Sequence, residues 1–329
     1  MDGTHHDGVA AADLGAGSLS LDTIFRDHRR YDDLVRRCQG QEPVPTAVVF
    51  PIEETALRGA VETAQVGITR PILVGPGALM RSAADAAGLD ISGLELVEAA
   101  DEAGSAAAGV RLVNSGSARM LMKGSLHTAT LLHAVLAHDG GLRGSRRLSH
   151  VFAFDIPAYP KPLLVTDAVV NISPTLPDKV DICQNAIDLA HRLGIERPKV
   201  AILSAIETVD PAIPSTIDAA ALCKMADRGQ ITGGLLDGPL AMDDAISPEA
   251  ATTKHIESAV AGDADVLVVP DVEAGNILYK DLTYLSGADA AGVVLGATAP
   301  IVLTSRADTV RTRIASAALG ALLTRATRS

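Results

Sequence analysis

The sequence predicts an α/β protein in which a largely parallel sheet carries helices on both faces. The chain has 329 residues, of which 47% are hydrophobic and 21% charged, so it can build a large core. Short apolar runs recur along it, and segments with apolar residues at helical spacing lie between most of them. Continuous apolar strands that alternate with helices are typical of parallel sheets buried on both faces.

This alternation predicts each element in turn. The apolar runs predict strands at residues 47–50, 71–75, 94–97, 120–122, 150–154, 163–166, 200–204, 234–237, 266–269, 293–295 and 301–304. The helical spacing predicts helices at residues 56–64, 105–113, 125–137, 178–193, 217–228 and 308–325, and an alanine-rich helix that ends at Ala87. Gly67 follows the first helix, where a glycine commonly ends one.

The elements fall into two series, which predicts two α/β/α domains with a cleft between them. The glycine-rich stretch 139–144 marks a boundary, and the last strand and helix are expected to return to the first series. We therefore expect a first domain at residues 21–144 plus 300–329 and a second at 145–299. Residues 1–20 lack periodicity and predict a flexible tail. Ligands commonly bind in a cleft of this kind.

Composition argues against several classes of partner. Aromatic residues make up only 2% and the net charge is −12, so neither base stacking nor attraction to nucleic acid is expected. The apolar runs are too short to span a membrane. The three cysteines, Cys38, Cys183 and Cys223, lie far apart and are odd in number, which favours reduced thiols in the cytoplasm.

Two segments that directly follow strands carry candidate site residues, because strand ends in open α/β sheets face the ligand crevice. Lys123-Gly124-Ser125 opens a helix, and its backbone N–H groups and lysine ammonium suit a phosphate. Ser305, Arg306 and Asp308 supply a hydroxyl, a guanidinium and a carboxylate. The alternative for both segments is an ordinary helix cap beside a solvated cation.

The local charge favours an anion site at Ser305, Arg306 and Asp308. Residues 305–329 contain five arginines and one acid, Asp308, inside an acidic chain, and such a patch attracts anions locally. His127 can reach a site at the start of its helix, although a structural role is the alternative for a histidine there.

Acidic residues at other strand ends are candidate metal ligands. Asp167, Asp237, Asp271 and Glu273 follow strands, and acids paired across a cleft would bind a metal ion as in metal-dependent hydroxyacid dehydrogenases. The alternative is that they cap helices. The chain has no GxGxxG after a strand, no P-loop, no HExxH and no GxSxG, which disfavours dinucleotide-binding, P-loop and esterase classes.

Five strings in order along the chain resemble the phosphate acetyltransferase/phosphate butyryltransferase family. They are MKGSLHT (122–128), TDAVVNISP (166–174), DGPLAMDDAIS (237–247), PDVEAGNILYK (270–280) and TSRAD (304–308). The resemblance extends from about Leu21 to about Leu323, and five ordered matches are far more specific than any one of them. The likeness is greatest to the phosphotransacylase half of bifunctional enoyl-CoA hydratase/phosphate acetyltransferases.

The resemblance implies an enzyme that interconverts acyl-CoA plus phosphate with acyl phosphate plus CoA. It implies an isocitrate/isopropylmalate dehydrogenase-like fold, a homodimer or larger homo-oligomer, and no cofactor or metal beyond the substrates CoA and phosphate. By position, it implies that Ser305 bonds the thioester carbonyl or the CoA sulfur and that Arg306 holds phosphate. The substrate-binding residues that it implies are Lys123, Gly124, Ser125, His127, Thr128 and Asn276.

Three positions differ from acetyl-specific relatives in this family. Thr312 stands where those relatives have the aspartate proposed as the base, so Asp308, one turn earlier, is the candidate base here. His133 or Ala134 replaces an arginine, and Ala168 replaces a cysteine found in some members. These differences favour the butyryl-type or bifunctional-type branch.

Two alternatives stay open beside the transferase. The first is a catalytically inactive protein that binds acyl-CoA or acyl phosphate, motivated by the missing aspartate and arginine. The second is a metal- and NAD-dependent hydroxyacid dehydrogenase of the same fold, which would need several convergent acids.

Overall fold

The computed structural model describes residues 29–304 and 308–325, and eleven strands in this part of the chain form a single sheet. The strands are β1 (Val44–Val49), β2 (Thr69–Gly75), β3 (Glu95–Glu98), β4 (Met120–Lys123), β5 (Ser149–Asp155), β6 (Leu163–Thr166), β7 (Lys199–Leu203), β8 (Leu235–Leu240), β9 (Val266–Val268), β10 (Asp289–Leu295) and β11 (Ile301–Val302). Each one overlaps a predicted strand, so the sequence pattern is confirmed with shifted ends.

The helices of the described residues surround this sheet. They are α1 (Arg29–Arg36), α2 (Glu54–Gln65), α3 (Gly77–Ala87), α4 (Glu102–Asn114), α5 (Thr128–Val135), α6 (Leu176–Leu193), α7 (Pro214–Asp227), α8 (Met242–Ile246), α9 (Pro248–Thr253), α10 (Val272–Tyr284) and α11 (Val310–Arg325). The predicted helices correspond to α2 to α7 and α11. The sequence pattern did not predict α1, α8, α9 or α10.

The sheet consists of two parallel blocks that run in opposite directions. The strand order is β3-β2-β1-β4-β11-β10-β5-β6-β9-β7-β8. The first block, β3-β2-β1-β4-β11, is parallel throughout. The second block, β6-β9-β7-β8, is also parallel throughout. Between the blocks, β10 is antiparallel to both β11 and β5, and β5 is antiparallel to β6. The sheet is therefore largely parallel, as predicted, with its antiparallel pairs confined to the middle.

Alternate strand residues pack into cores on opposite faces. In the first block, Val48 and Leu73 pack under α2, α3 and α11, whereas Val49 and Val74 pack under α4 and α5. In the second block, the same alternation divides strand residues between α6 and α7 on one face and α8 and α10 on the other. Full burial of such a side chain contributes about 2 kcal/mol, so covering both faces stabilises continuous apolar strands.

The C-terminal elements return to the first block. Strand β11 pairs with β4, and α11 packs against α2 and β10. One sheet runs through both blocks. The predicted division into two domains stays a prediction. The predicted tail at residues 1–20 lies outside the described residues. No helix within the described ranges combines the length and the apolar character needed to cross a membrane.

Candidate active site

A cleft of about 410 Å³ lies where the ends of β4 and β11 meet α5 and α10. The pairing of Met122 with Val302 brings the two strand ends side by side. The side chains that line the cleft are Lys123, Leu126, His127, Thr128, Phe152, Val169, Asn276, Tyr279, Lys280, Leu303 and Thr304. The fold thus brings together four of the predicted substrate-binding residues, namely Lys123, His127, Thr128 and Asn276.

The cleft is cationic although the protein is acidic. Lys123 and Lys280 contribute ammonium groups to it, and no aspartate or glutamate is among the lining residues in the described part of the chain. The chain as a whole carries a net charge of −12. A positive cleft on a negative protein concentrates anions at one place on its surface.

The turn after β4 requires glycine at position 124. A Cβ on Gly124 would lie 2.3 Å from the carbonyl oxygen of Val49, closer than packed atoms allow. The N–H groups of Gly124 and Ser125 donate to the carbonyls of Val49 and Phe50, each at 2.9 Å. This close backbone approach holds Lys123, which is only 4% exposed, at the base of the cleft.

Ser125 bonds to the neighbouring helix. Its buried Oγ accepts a hydrogen bond of 3.1 Å from the N–H of Glu53, the residue that precedes α2. Because this serine is part of the turn, α5 begins at Thr128 and not at residue 125 as the spacing predicted. Neither Gly124 nor Ser125 is among the described lining residues, so their contact with substrate stays a prediction.

Glu102, the first residue of α4, holds the start of α5. Its carboxylate accepts hydrogen bonds of 3.1 Å from the backbone N–H and from Nδ1 of His127, and one of 3.5 Å from Thr130 Oγ1. Burial opposes ionisation, but these hydrogen bonds outweigh it and lower the pKa of Glu102. The carboxylate therefore orients the His127 ring at the edge of the cleft.

Helix α10 forms the opposite wall. Asp271 caps its first turn by accepting from the N–H of Ala274 at 2.9 Å. Gly275 lets the helix approach the loop after β6, because a Cβ there would lie 2.8 Å from Ala168 Cα. The exposed Asn276 donates from Nδ2 to the carbonyl of Ala168 at 3.4 Å. These contacts fix the position of the helix relative to the loop.

Tyr279 of α10 is held on both its ring and its hydroxyl. Its ring stacks on Phe152 at 4.1 Å between centroids with an interplanar angle of 4°. Its hydroxyl donates to Asp308 Oδ1 at 2.7 Å. Burial and the adjacent Asp308 both raise the pKa of Tyr279, so it acts as a neutral donor. Its ring therefore forms a rigid part of the cleft wall.

Asp308 lies behind this wall. It is 8% exposed and is not among the described residues that line the cleft. The contact with Tyr279 gives it one clear task, which is to fix the tyrosine ring. Its role as the general base stays a prediction.

Thr304 lines the cleft, and its hydroxyl accepts a hydrogen bond from a buried arginine. Arg313 of α11 is 4% exposed and donates from Nη1 to Thr304 Oγ1 at 2.8 Å. Burial lowers the pKa of Arg313, while the charges of Asp308 and Glu53 raise it. Because the guanidinium fills an acceptor position of the hydroxyl, the Thr304 proton is directed elsewhere, and a ligand in the cleft can accept it.

His150 supports the backbone beneath the site. It is fully buried, its Nε2 lies 3.4 Å from the carbonyl of Leu303, and its ring packs on Phe152 at 4.3 Å between centroids. Within the described ranges, its Nδ1 has no hydrogen-bond partner. Burial lowers the pKa of His150 to about 4, although Asp167 and the Leu303 carbonyl oppose the change. It is therefore neutral near pH 7.

The loop after β6 places one apolar side chain at the cleft. Asp167 is buried, and its Oδ1 accepts from the N–H groups of Val169 and Val170 at 2.9 Å. The Val169 side chain is half-buried and contacts the cores of both blocks. The other aliphatic lining residues, Leu126 and Leu303, are buried. Among the described lining residues, Val169 is thus the aliphatic one with surface left for a ligand.

The acids at strand ends bond to the backbone. Asp167 and Asp271 accept from N–H groups as described above, and Asp237 Oδ1 accepts from the N–H of Gly238 at 2.8 Å. Among the residues that the structure describes, no three His, Cys, Asp or Glu side chains group as metal ligands. The helix-cap and turn alternative therefore accounts for these carboxylates.

The predicted pair Ser305 and Arg306 lies outside the described residues, so its roles stay predictions. The sequence pattern missed Tyr279, Lys280 and Thr304 as lining residues. A prediction of helix α10 would have found the first two, because positions 276, 279 and 280 share one helical face.

Comparison with known proteins identifies the family. The family model described as phosphate acetyl/butaryl transferase matches residues 103–321. A phosphate acetyltransferase of Rhizobium meliloti is 55% identical over 293 residues, which make up 89% of this chain and 93% of that protein. A phosphate butyryltransferase of Clostridium acetobutylicum is 41% identical over 295 residues, or 90% of this chain and 98% of that protein.

A solved structure agrees with these sequence matches. The crystal structure of a branched-chain phosphotransacylase from Enterococcus faecalis superposes with a TM-score of 0.75 and 32% identity, covering 85% of this chain and 99% of that one. The chain belongs to the phosphate acetyl/butyryl transferase family. The predicted family and α/β fold class are confirmed.

Proposed function

We propose that this protein is a phosphate acyltransferase that moves a short acyl group between CoA and inorganic phosphate. One observation carries the proposal: nine of the eleven described residues that line the cationic cleft come from four of the five strings that carry the resemblance. Lys123 belongs to the first of them, Val169 to the second, Asn276 to the fourth and Thr304 to the fifth. Residues more than 150 positions apart in the sequence thus converge on one anion-binding cleft.

The reaction requires a clamp for phosphate and a donor for the developing oxyanion, and the residues of the cleft suit both tasks. An oxygen of phosphate attacks the thioester carbonyl, the carbonyl oxygen becomes negative, and the CoA thiolate then leaves. Lys123 lies at the base of the cleft and suits the attacking phosphate, and Arg306 is the predicted second clamp. The Thr304 hydroxyl, oriented by Arg313, is suited to bond the developing oxyanion, together with the predicted Ser305. Binding both substrates together would supply much of the rate.

The acyl chain would lie against the apolar part of the cleft. Leu126, Phe152, Val169 and Leu303 line it beside the polar groups. Among them, Val169 combines surface exposure with a fixed backbone. We propose that its side chain limits the length of the acyl group.

The hydroxyacid dehydrogenase hypothesis has no specific observation in its favour. It depends on convergent acids, and the acids at the strand ends accept from backbone N–H groups. We propose that CoA and phosphate are the only small molecules needed for turnover. Dialysis against EDTA should then leave the rate unchanged, and strong inhibition would contradict this proposal.

The compartment and the oligomeric state of the enzyme are also proposals. Cys38, Cys183 and Cys223 are not joined by disulfides, and burial raises the pKa of Cys183 and Cys223 to about 12. Cysteines without disulfides support a reducing compartment, and we propose the cytoplasm. We also propose a homodimer or larger homo-oligomer, which light scattering of the purified protein would measure.

The test is the release of CoA from a series of acyl-CoAs, with and without phosphate, followed with a thiol reagent. Phosphate-dependent release supports the transferase, and the series from acetyl to hexanoyl gives the preferred chain length. No release from any acyl-CoA, with retained CoA binding by calorimetry, would establish the inactive binding protein instead.

A further inference from the structure

Among the residues that the structure describes, Lys280 faces the cleft without the carboxylate partner that most other lysines have. The carboxylate-paired lysines, each within 4 Å of an acid, are Lys161, Lys179, Lys199, Lys224 and Lys254. Within residues 29–304 and 308–325, the Lys280 ammonium instead lies over aromatic rings, 4.4 Å from the centroid of Tyr279 and 5.5 Å from that of Tyr284. Its charge is therefore available to an anion.

The ring beneath this charge is fixed by its surroundings. The Tyr279 ring beneath it stacks on Phe152 and is bonded to Asp308. The tyrosine therefore cannot rotate without breaking a buried contact. The ammonium therefore lies against a ring that is itself fixed in the cleft wall.

Lys280 lies on a different wall of the cleft from Lys123. Lys123 ends β4 and lies at the base, whereas Lys280 is part of α10, beside Asn276. No acid lines the cleft between them in the described part of the chain. Two lysines on separate walls of one cleft suit a ligand with several charged oxygens, and a phosphate group is such a ligand.

We propose that Lys280 binds a phosphate group of the substrates. This inference rests on the proposed function, because that function supplies the phosphate. The group is either inorganic phosphate or one of the phosphates of CoA. Both are multiply charged oxyanions, so they share the chemistry that recognises them.

The test compares Lys280→Met with Lys280→Arg and with a control, Lys224→Met. Methionine keeps the unbranched stem without the charge, and arginine keeps the charge. Lys224 is an exposed residue of α7 paired with Asp227 and lies outside the cleft. Apparent KM values are measured for phosphate, for acyl-CoA and for acyl-pantetheine, which carries no phosphate.

The proposal expects Lys280→Met to raise one KM about tenfold or more, with Lys280→Arg close to wild type. A rise for phosphate alone identifies inorganic phosphate as the ligand. A rise for acyl-CoA but not for acyl-pantetheine identifies a CoA phosphate. Equal KM values in Lys280→Met and Lys224→Met, or an equal loss with all three substrates, would overturn it.

Two further readouts keep the outcomes distinct. If wild-type protein releases no CoA with phosphate, the proposed function fails and Lys280 is not the cause. Reductive methylation of the wild-type protein, mapped by mass spectrometry, avoids variants that misfold. Phosphate or CoA should slow methylation of Lys280 and leave that of Lys224 unchanged, and equal labelling of Lys280 with and without either ligand would contradict the proposal.

Discussion

Acidification should destabilise this protein through His150, and the effect can be calculated. Burial holds the pKa of His150 at about 4, against 6.5 for the free side chain. The unfolded chain therefore binds a proton below pH 6.5 that the folded chain refuses until about pH 4. Because protonation favours the unfolded state, the free energy of unfolding falls as the pH drops through this window.

The size of the effect follows from the two pKa values. The difference of 6.5 − 4 corresponds to about 3 kcal/mol once the window is crossed, and to about 1.4 kcal/mol at pH 5.5. Asp167 and Asp308 are the charged groups that act on this ring. They stay in place when His150 alone is replaced, so the comparison isolates the histidine.

Urea unfolding at pH 7.0 and pH 5.5 measures how the free energy of unfolding depends on pH. Wild type is compared with His150→Phe and His150→Gln. Wild type should lose about 1.2 kcal/mol more than either variant between the two pH values, because about 0.2 kcal/mol of the effect is already present at pH 7.0. The variants are expected to be less stable at both pH values, and that loss cancels in the difference. An identical pH dependence in wild type and both variants would refute the reasoning.

Four further predictions test the site. Tyr279→Phe removes the 2.7 Å hydrogen bond to buried Asp308 and should lower the free energy of unfolding by about 1–3 kcal/mol; an unchanged urea midpoint would contradict this. Asp308→Asn should lower kcat about 100-fold or more if this residue is the base, and full activity would exclude that role. Val169→Phe should lower the ratio of kcat/KM for butyryl-CoA to that for acetyl-CoA about tenfold, and a constant ratio would remove Val169 from the acyl site. Gly124→Ala should cost about 3 kcal/mol or more by its backbone clash, whereas Gly93→Ala, with open space around its Cβ, should not.

The sequence predicted the strands well because their signal is local. A strand buried on both faces is a run of apolar residues, as at β6 and β9, and such a run is recognisable without knowing its neighbours. Helix α10 was missed because it begins at an acidic cap and contains a glycine, which resemble a turn when read along the chain. The same Asp271 and Gly275 prove to be a cap and a close packing contact.

Several residues of the candidate site could be predicted from the sequence, but their arrangement could not. Lys123, His127, Thr128 and Asn276 were predicted because they follow strands or belong to strings that resemble a known family. Their meeting in one cleft depends on β11 returning to pair with β4, which no local pattern specifies.

The sequence by itself thus determined the α/β class, the strand positions and the family, since each depends on residues near one another or on ordered strings. Only the tertiary structure decided which groups share the cleft. The contacts of Tyr279 with Phe152 and Asp308, and of Arg313 with Thr304, arise from packing, as does the contact of the Lys280 ammonium with the Tyr279 ring. Burial, which sets the pKa of His150, exists only once distant segments exclude water together.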